Sequence, residues 1–559
     1  MSAPETPNEV GTEKNEVASD SEVTTVPMSR AQLVFVFGAF MLVFLLISLD
    51  QTIISTALPT IASHFQAVSN LSWIASAYFL PQAGLMLFFG RILSISSPKI
   101  ICLVVIAIFE IGSLFCAVAP SVNFLIFGRA FAGVGASGLG ISCMYIVAKI
   151  TTLRQRPVFM GLFGAVYSVS SIVGPLIGGT LSDHVSWRWC FYINLPIGGA
   201  AFVAVALSLP QISIKNRSQS TWEAWRRLDW IGVFLSIAVV TLFLLPVQWG
   251  GNERPWSDPV VIALLVLSAI TLAIFIAWEY RKGREALLPL DMFMRRNMLG
   301  VCLHSFFCDM CFMIASYYLP FLYQLRGHSA TKSGIDIIPF MIAGILASVL
   351  SGICISKLGY AWPFLFFGPL AGAVASGLMF SLNMNSSFAR IAGYQILMGA
   401  GLGVALQTSL VVAQAEFSKD ETRLSQATSM ATFMKVLGYA VGLASGGGIF
   451  ASRVRDELNG TPGLDPEFLR EALSNIKFIF TLAPELQAIV LGAYVHVQRL
   501  FYPKRVWLSG ITYLNRAVAE KGQRSGVEQV EAKVINGFRT DDLQMVNCMR
   551  SSKFSGYPN

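Results

Sequence analysis

An all-α integral membrane protein of many helical spans is the fold class this sequence predicts. Three observations carry the prediction: the composition, the recurrence of membrane-length apolar runs, and the gathering of basic residues between them. Of 559 residues, 54% are hydrophobic and 13% charged, against about 25% charge in a soluble domain, so much of the surface must face lipid. A hydrocarbon layer of about 30 Å takes roughly 20 apolar residues of helix, and runs of that length recur along nearly the whole chain.

In chain order, residues 1–30 are polar and acidic, with Glu5, Glu9, Glu13, Glu16, Asp20 and Glu22. They lack a basic segment followed by an apolar one, so they predict a disordered cytoplasmic tail rather than a signal peptide. Residues 31–209 predict an N-terminal six-helix bundle, with apolar runs at 33–57, 71–91, 99–119, 122–147, 157–181 and 189–209. Residues 210–285 hold a basic loop (Lys215, Arg217, Arg226, Arg227) and two linking spans at 229–248 and 259–279. Residues 286–502 predict a second bundle, with runs at 298–323, 334–356, 361–381, 388–414 and 427–450. That makes thirteen spans. Residues 476–498 are interrupted by Lys477, Pro484, Glu485 and Gln487, which leaves two alternatives, a fourteenth span or an amphipathic segment on the outer surface. Residues 503–559 form a polar, basic tail.

Lys and Arg resist translocation, so the short loops rich in them mark the cytoplasmic side. Arg91 and Lys99, Lys149, Arg154 and Arg156, Arg281 to Arg296, Lys357, and Lys419 and Arg423 all fall in alternate loops, which puts the N-terminus inside. The net charge of +8 is scattered among these loops and forms no basic domain, so nucleic acid is not an expected partner. Most cysteines, among them Cys102, Cys116, Cys143, Cys302 and Cys354, sit inside apolar runs, where a thiol acts as a small hydrophobe and no disulfide framework is implied.

The two sets of spans read as one motif used twice, the signature of a repeat-built carrier with its site at the repeat interface. The second span ends FFGRILSISSPK (Phe88 to Lys99) and its counterpart ends LSGICISKLGY (Leu350 to Tyr360). GRAFAGVGASGLG (Gly128 to Gly140) is echoed by YQILMGAGLGVAL (Tyr394 to Leu406), where small residues let helices approach closely. Further strings are LDQTIISTALPTI (Leu49 to Ile61), WRWCFYINLPIGG (Trp187 to Gly199) and YSVSSIVGPLIGG (Tyr167 to Gly179), and Arg129 is followed by Gly133 and Gly135.

On these strings, residues 33–450 resemble the major facilitator superfamily, and within it the fourteen-span drug:proton antiporters of the fungal toxin and multidrug efflux type. The resemblance implies two six-helix bundles related by a pseudo-two-fold axis, plus two extra linking helices. It implies an antiporter motif at Gly174, Pro175, Gly178 and Gly179, and a proton-linked role for Asp50 and Arg129. One departure stands out. Where the family carries an acidic residue in the loop after the second span, this chain has Ser94, with Arg91 and Lys99 retained, which puts the usual charge lock of the inner gate in doubt.

Gly174-Pro175 removes a backbone donor within a span, and the neighbouring glycines open a face for close packing. Ionisable groups inside spans are costly and by default functional, which singles out Asp50, Glu110, Arg129 and Asp309 for proton coupling or gating, with Lys435 as a further partner. A carboxyl removed from water disfavours its charge and can therefore exchange a proton; the alternative for each is a structural pair. Tyr78, Gln82, Phe306, Tyr317, Gln395 and Gln407, with Gln414 and Tyr318, form a polar and aromatic set suited to a bulky amphipathic ligand, or simply to helix packing. His304, Cys308 and Cys311 share one helix face without an evident fourth ligand. Asn70, Asn385 and Asn459 begin glycosylation sequons.

No nucleotide-binding P-loop string, hydrolase nucleophile motif or metalloprotease His pair is visible, so neither an enzyme nor a cofactor is expected. The expected function is proton-coupled export of a hydrophobic or amphipathic small molecule, with that molecule, protons and the bilayer as partners. The carrier would be a monomer in the cell membrane, with the vacuolar membrane as an alternative. The other readings are an importer for a nutrient such as a siderophore, and a non-transporting membrane sensor.

Overall fold

The computed structural model describes residues 29–65, 71–211, 225–226, 228–250, 254–328, 330–382, 386–458, 486–487 and 489–492. Its helices are α1 (Arg30–Phe65), α2 (Leu71–Gly84), α3 (Met86–Ile95), α4 (Pro98–Ala117), α5 (Val122–Ile150), α6 (Arg156–His184), α7 (Trp189–Tyr192) and α8 (Asn194–Ser208). They continue with α9 (Trp230–Trp249), α10 (Pro259–Lys282), α11 (Leu290–Phe293), α12 (Arg296–Leu325), α13 (Ala330–Asp336), α14 (Ile338–Leu358), α15 (Trp362–Met379), α16 (Phe388–Glu416) and α17 (Glu421–Leu458).

Local chemistry fixes the ends. Ser121, Asp229, Asp258 and Ser387 accept hydrogen bonds from the first turns of α5, α9, α10 and α16, satisfying donors that a helix start leaves open. Prolines open α4, α10, α14 and α15, where a missing N–H costs nothing. Gly359, at φ 77°, closes α14 in the left-handed conformation that a side chain resists. Between α2 and α3 the helix bends by 42°, with Pro81 and Gly84 in the turn before the break.

Among the described residues eleven helices are long and apolar enough to cross a membrane, or twelve if α2 and α3 form one bent span. Helix α17 is not among these, yet its 38 residues exceed membrane length. With it the helices match the thirteen runs expected from sequence. The segment considered for a fourteenth span lies almost wholly outside the described residues, as do both tails. The chain is a multi-pass membrane protein.

Helices α1, α2, α4, α5, α6 and α8 pack on one another, as do α12, α14, α15, α16 and α17. The two groups meet where α6 lies on α14 and α3 lies on α17, while α9, paired with α10, rests against both α2 and α17. Ser236 Oγ of α9 donates to the Gly84 carbonyl at 3.1 Å.

Candidate functional site

Asp50 on α1 and Arg129 on α5 form a buried ion pair inside the first group of helices: Arg129 Nη1 donates to Asp50 Oδ2 at 2.7 Å, and both side chains are 1% exposed. The other carboxylate oxygen accepts from Asn194 Nδ2 at 3.1 Å, and the same amide lies 3.2 Å from Ser113 Oγ. The Arg129 guanidinium rests over the Tyr78 ring at 4.3 Å and near Phe191 at 5.9 Å, cation–π contacts that strengthen when water is excluded. Four elements thus hold one charge pair. Tyr78 is consequently core to this group of helices, being fully buried. Asn194 and Ser113 carried no role in the sequence reading; an Asn within an apolar run was the available signal.

Gly174 on α6 faces α1, and a Cβ there would collide with Thr52, two residues beyond Asp50. Thr52 Oγ1 donates to the Ser170 carbonyl at 2.9 Å. The glycine-rich string therefore presses α6 onto the helix that bears the buried carboxylate. Helix α6 runs unbroken through Pro175. Gly178 is buried, with its carbonyl 3.9 Å from Cys190 Sγ. Gly179 corrects the expectation of close approach, since no neighbouring atom lies within 4 Å of the place its Cβ would take; it occupies a face of α6 with room beside it. Glu110 on α4 lies against Gly198 of α8, and both its carboxylate oxygens are buried without a hydrogen-bond partner.

A second polar cluster lies where the groups meet. Asp309 on α12 is wholly buried, and Lys435 on α17 places Nζ 3.6 Å from its Oδ1. One turn beyond Lys435, Tyr439 stacks on Tyr167 of α6, with centroids 6.0 Å apart and ring planes at 13°. Phe312, one turn beyond Asp309, stands 6.1 Å from the same Tyr167. Gln51 donates to Gln82 at 3.4 Å, and Gln407 of α16 lies against Gly164 of α6. Gln395 instead donates to the Tyr323 hydroxyl at 2.8 Å within the second group. The Phe306 backbone is crossed closely by Gly438. Nothing is described for the Tyr317 side chain, and Asn70, Asn385 and Asn459 lie outside the described residues. Cys308 Sγ is 3.6 Å from His304 Nε2; among the described residues no group of three His, Cys, Asp or Glu side chains is arranged to hold a metal.

At the end of the bundle rich in Lys and Arg, hydroxyls and carbonyls join the two groups. Ser425 Oγ donates to the Gly90 carbonyl, and a Cβ on Gly90 would strike Ser429. Arg154 Nε reaches the Ser356 carbonyl at 3.1 Å. Arg156 donates to the Ala148 and Gln414 carbonyls, and Gln414 Nε2 to the Met144 carbonyl at 3.3 Å and Thr428 Oγ1 at 3.4 Å. Ser94 donates to the Arg91 carbonyl of its own helix at 2.6 Å. Lys99 caps the end of α8 through the Ala206 and Leu209 carbonyls at 2.8 and 2.6 Å. Where a charge lock was questioned, hydroxyls and the guanidinium groups of Arg154 and Arg156 meet carbonyls across the two groups.

Two packed groups of helices, a linking pair beside them and buried charges between spans define a membrane carrier. The sequence profile of the Major Facilitator Superfamily matches residues 40–443. Similar proteins include the "MFS-type efflux pump MFS1" of Trichophyton rubrum, 35% identical over 83% of this chain and 87% of that protein. The "MFS-type transporter thnB" of Trichoderma harzianum is 35% identical over 92% and 89%, and the "Efflux pump aunC" of Aspergillus niger 33% identical over 82% and 81%. Among solved structures, the human organic anion transporter MFSD10 (TETRAN) aligns with a TM-score of 0.53 at 14% identity, over 83% of this chain and 99% of that one. The proton:xylose symporter XylE aligns at 0.53 and 12% identity, over 84% and 95%. The chain belongs to the major facilitator superfamily; it has that transporter fold and is not an enzyme.

Proposed function

We propose that this chain is a proton-coupled efflux carrier that exports hydrophobic or amphipathic small molecules, such as a toxin, secondary metabolite or drug, by alternating access. The observation that carries the reading is the buried Asp50–Arg129 pair at 2.7 Å. A charge pair in an apolar bundle is expensive to seat and offers little stability over well-packed apolar side chains, so a task such as proton exchange accounts for it. Protonating Asp50 cancels half of the pair and leaves Arg129 held by the Tyr78 and Phe191 rings. Helix α1 touches α6 at Thr52 and Gly174, so a shift at Asp50 reaches the interface along which the two groups rock. The names of several relatives as efflux pumps support the outward direction.

The test is transport in liposomes with an imposed proton gradient and a panel of labelled amphipathic compounds. Wild type accumulates cargo against its gradient at the expense of the proton gradient. Asp50→Asn loses that accumulation while still exchanging labelled for unlabelled cargo. Equal gradient-driven accumulation by Asp50→Asn overturns the coupling; cargo driven only toward the Lys- and Arg-rich side overturns export.

A further inference from the structure

The second buried pair, between Asp309 and Lys435, has a geometry different from the first. Arg129 and Asp50 are in full hydrogen-bond contact, whereas Lys435 Nζ stands 3.6 Å from Asp309 Oδ1, beyond the roughly 2.7–2.9 Å of a charge-assisted hydrogen bond. The two members also differ in access: the Asp309 side chain is 0% exposed and that of Lys435 15%, so Lys435 is the member of the pair with accessible surface. Each lies roughly 20 Å along its helix from the Lys- and Arg-rich end, near the middle of a layer about 30 Å thick. Beside them Tyr439 and Phe312 of one group, both buried, pack on Tyr167 of the other, so their faces are offered to a ring system when the two groups part.

We infer that Lys435, steered by Asp309, anchors the cargo through an acceptor oxygen, and that Tyr167, Phe312 and Tyr439 clasp an aromatic body attached to it. The cargo class is therefore aromatic compounds bearing a carboxylate or carbonyl group, and not aromatic amines. An ammonium carries three donors and no acceptor; Asp309 occupies one side, and the remaining donors suit an oxygen and reject a second cation. This names the cargo of the carrier proposed above and rests on that reading for transport, but not for binding.

Equilibrium binding to the purified full chain separates the two, because it needs neither a gradient nor a direction. The probes are 1-naphthaleneacetic acid, its amide 1-naphthaleneacetamide, 1-ethylnaphthalene, and 2-(1-naphthyl)ethylamine, which share one ring system. Wild type binds the acid and the amide about tenfold tighter than the hydrocarbon, the value of a hydrogen bond to a charged donor, and binds the amine no better than the hydrocarbon. Lys435→Met removes the preference. The double variant Asp309→Asn with Lys435→Met, which leaves no charge buried alone, also lacks it while binding 1-ethylnaphthalene as wild type does. Lys435→Arg retains it. An amine that outbinds the acid on wild type, or a double variant that keeps the preference, overturns the inference; gradient-independent transport overturns only the coupling.

Discussion

Asn194 opens α8 and holds two partners with a single amide, Asp50 on α1 and Ser113 on α4. Replacing it by Ala leaves buried acceptors short of a donor, at a cost of roughly 1–3 kcal/mol. Lower thermal stability and weaker gradient-driven transport are the expected outcomes, measured by unfolding of the purified protein and by liposome uptake. Asn194→Asp is expected to be worse, since it sets a second carboxylate against Asp50. The ion pair itself yields an asymmetric prediction. Arg129→Met strands Asp50 without its counter-charge and should cost about 3–5 kcal/mol, whereas Asp50→Asn with Arg129→Met should recover much of the unfolding temperature. Asp50 and Arg129 could be picked out from sequence because charge in an apolar run is conspicuous. Their being partners could not: they are separated by 79 positions, and only the packing of α1 on α5 joins them. Tyr78 illustrates the same limit, since an aromatic residue suited to a cavity wall on composition becomes the platform beneath a guanidinium.

Helix α6 touches both groups, and its glycines divide by the face they occupy. Gly174→Val should force α6 off Thr52 and abolish transport in a protein that still folds, and Thr52→Gly in the same chain should restore part of it by making room. Gly179→Ala, with open space at its Cβ, should be silent; liposome uptake reads all three. The glycine-rich string was legible in the sequence, but which glycine carries the contact was not, because helical phase relative to a neighbour is a tertiary property. Helix α17 was legible as a long run, and its polarity now has a cause. Ser425 and Ser429 meet Gly90 across the interface, so their hydroxyls serve contacts between the groups and not contact with lipid.

For the molecule as a whole, the contacts described between the groups at the Lys- and Arg-rich end hold that end together through hydroxyl, guanidinium and amide donors to carbonyls. Gly90→Ala should lever α3 from α17 at Ser429 and shift the population toward the form open at that end. A cysteine introduced at Thr428, fully buried here, should then react with a water-soluble maleimide faster than in the Gly90 parent, and Ser429→Gly should reverse the gain. The thirteen apolar runs that fall on described helices were readable from hydropathy, since lipid imposes length and apolarity on each helix. Which ends touch was not, because Ser94 offers no charge to pair and the Lys99 ammonium is bound to carbonyls at the end of α8.

Helix α9 leans on α2 and α17 together, one helix from each rocking group. Any swing that separates those two must slide at least one of them along α9, past the bond from Ser236 to Gly84. On the alternating-access cycle proposed above, the linking pair would act as a brake on the stroke, limiting how far the carrier opens and slowing its turnover in return for a smaller leak.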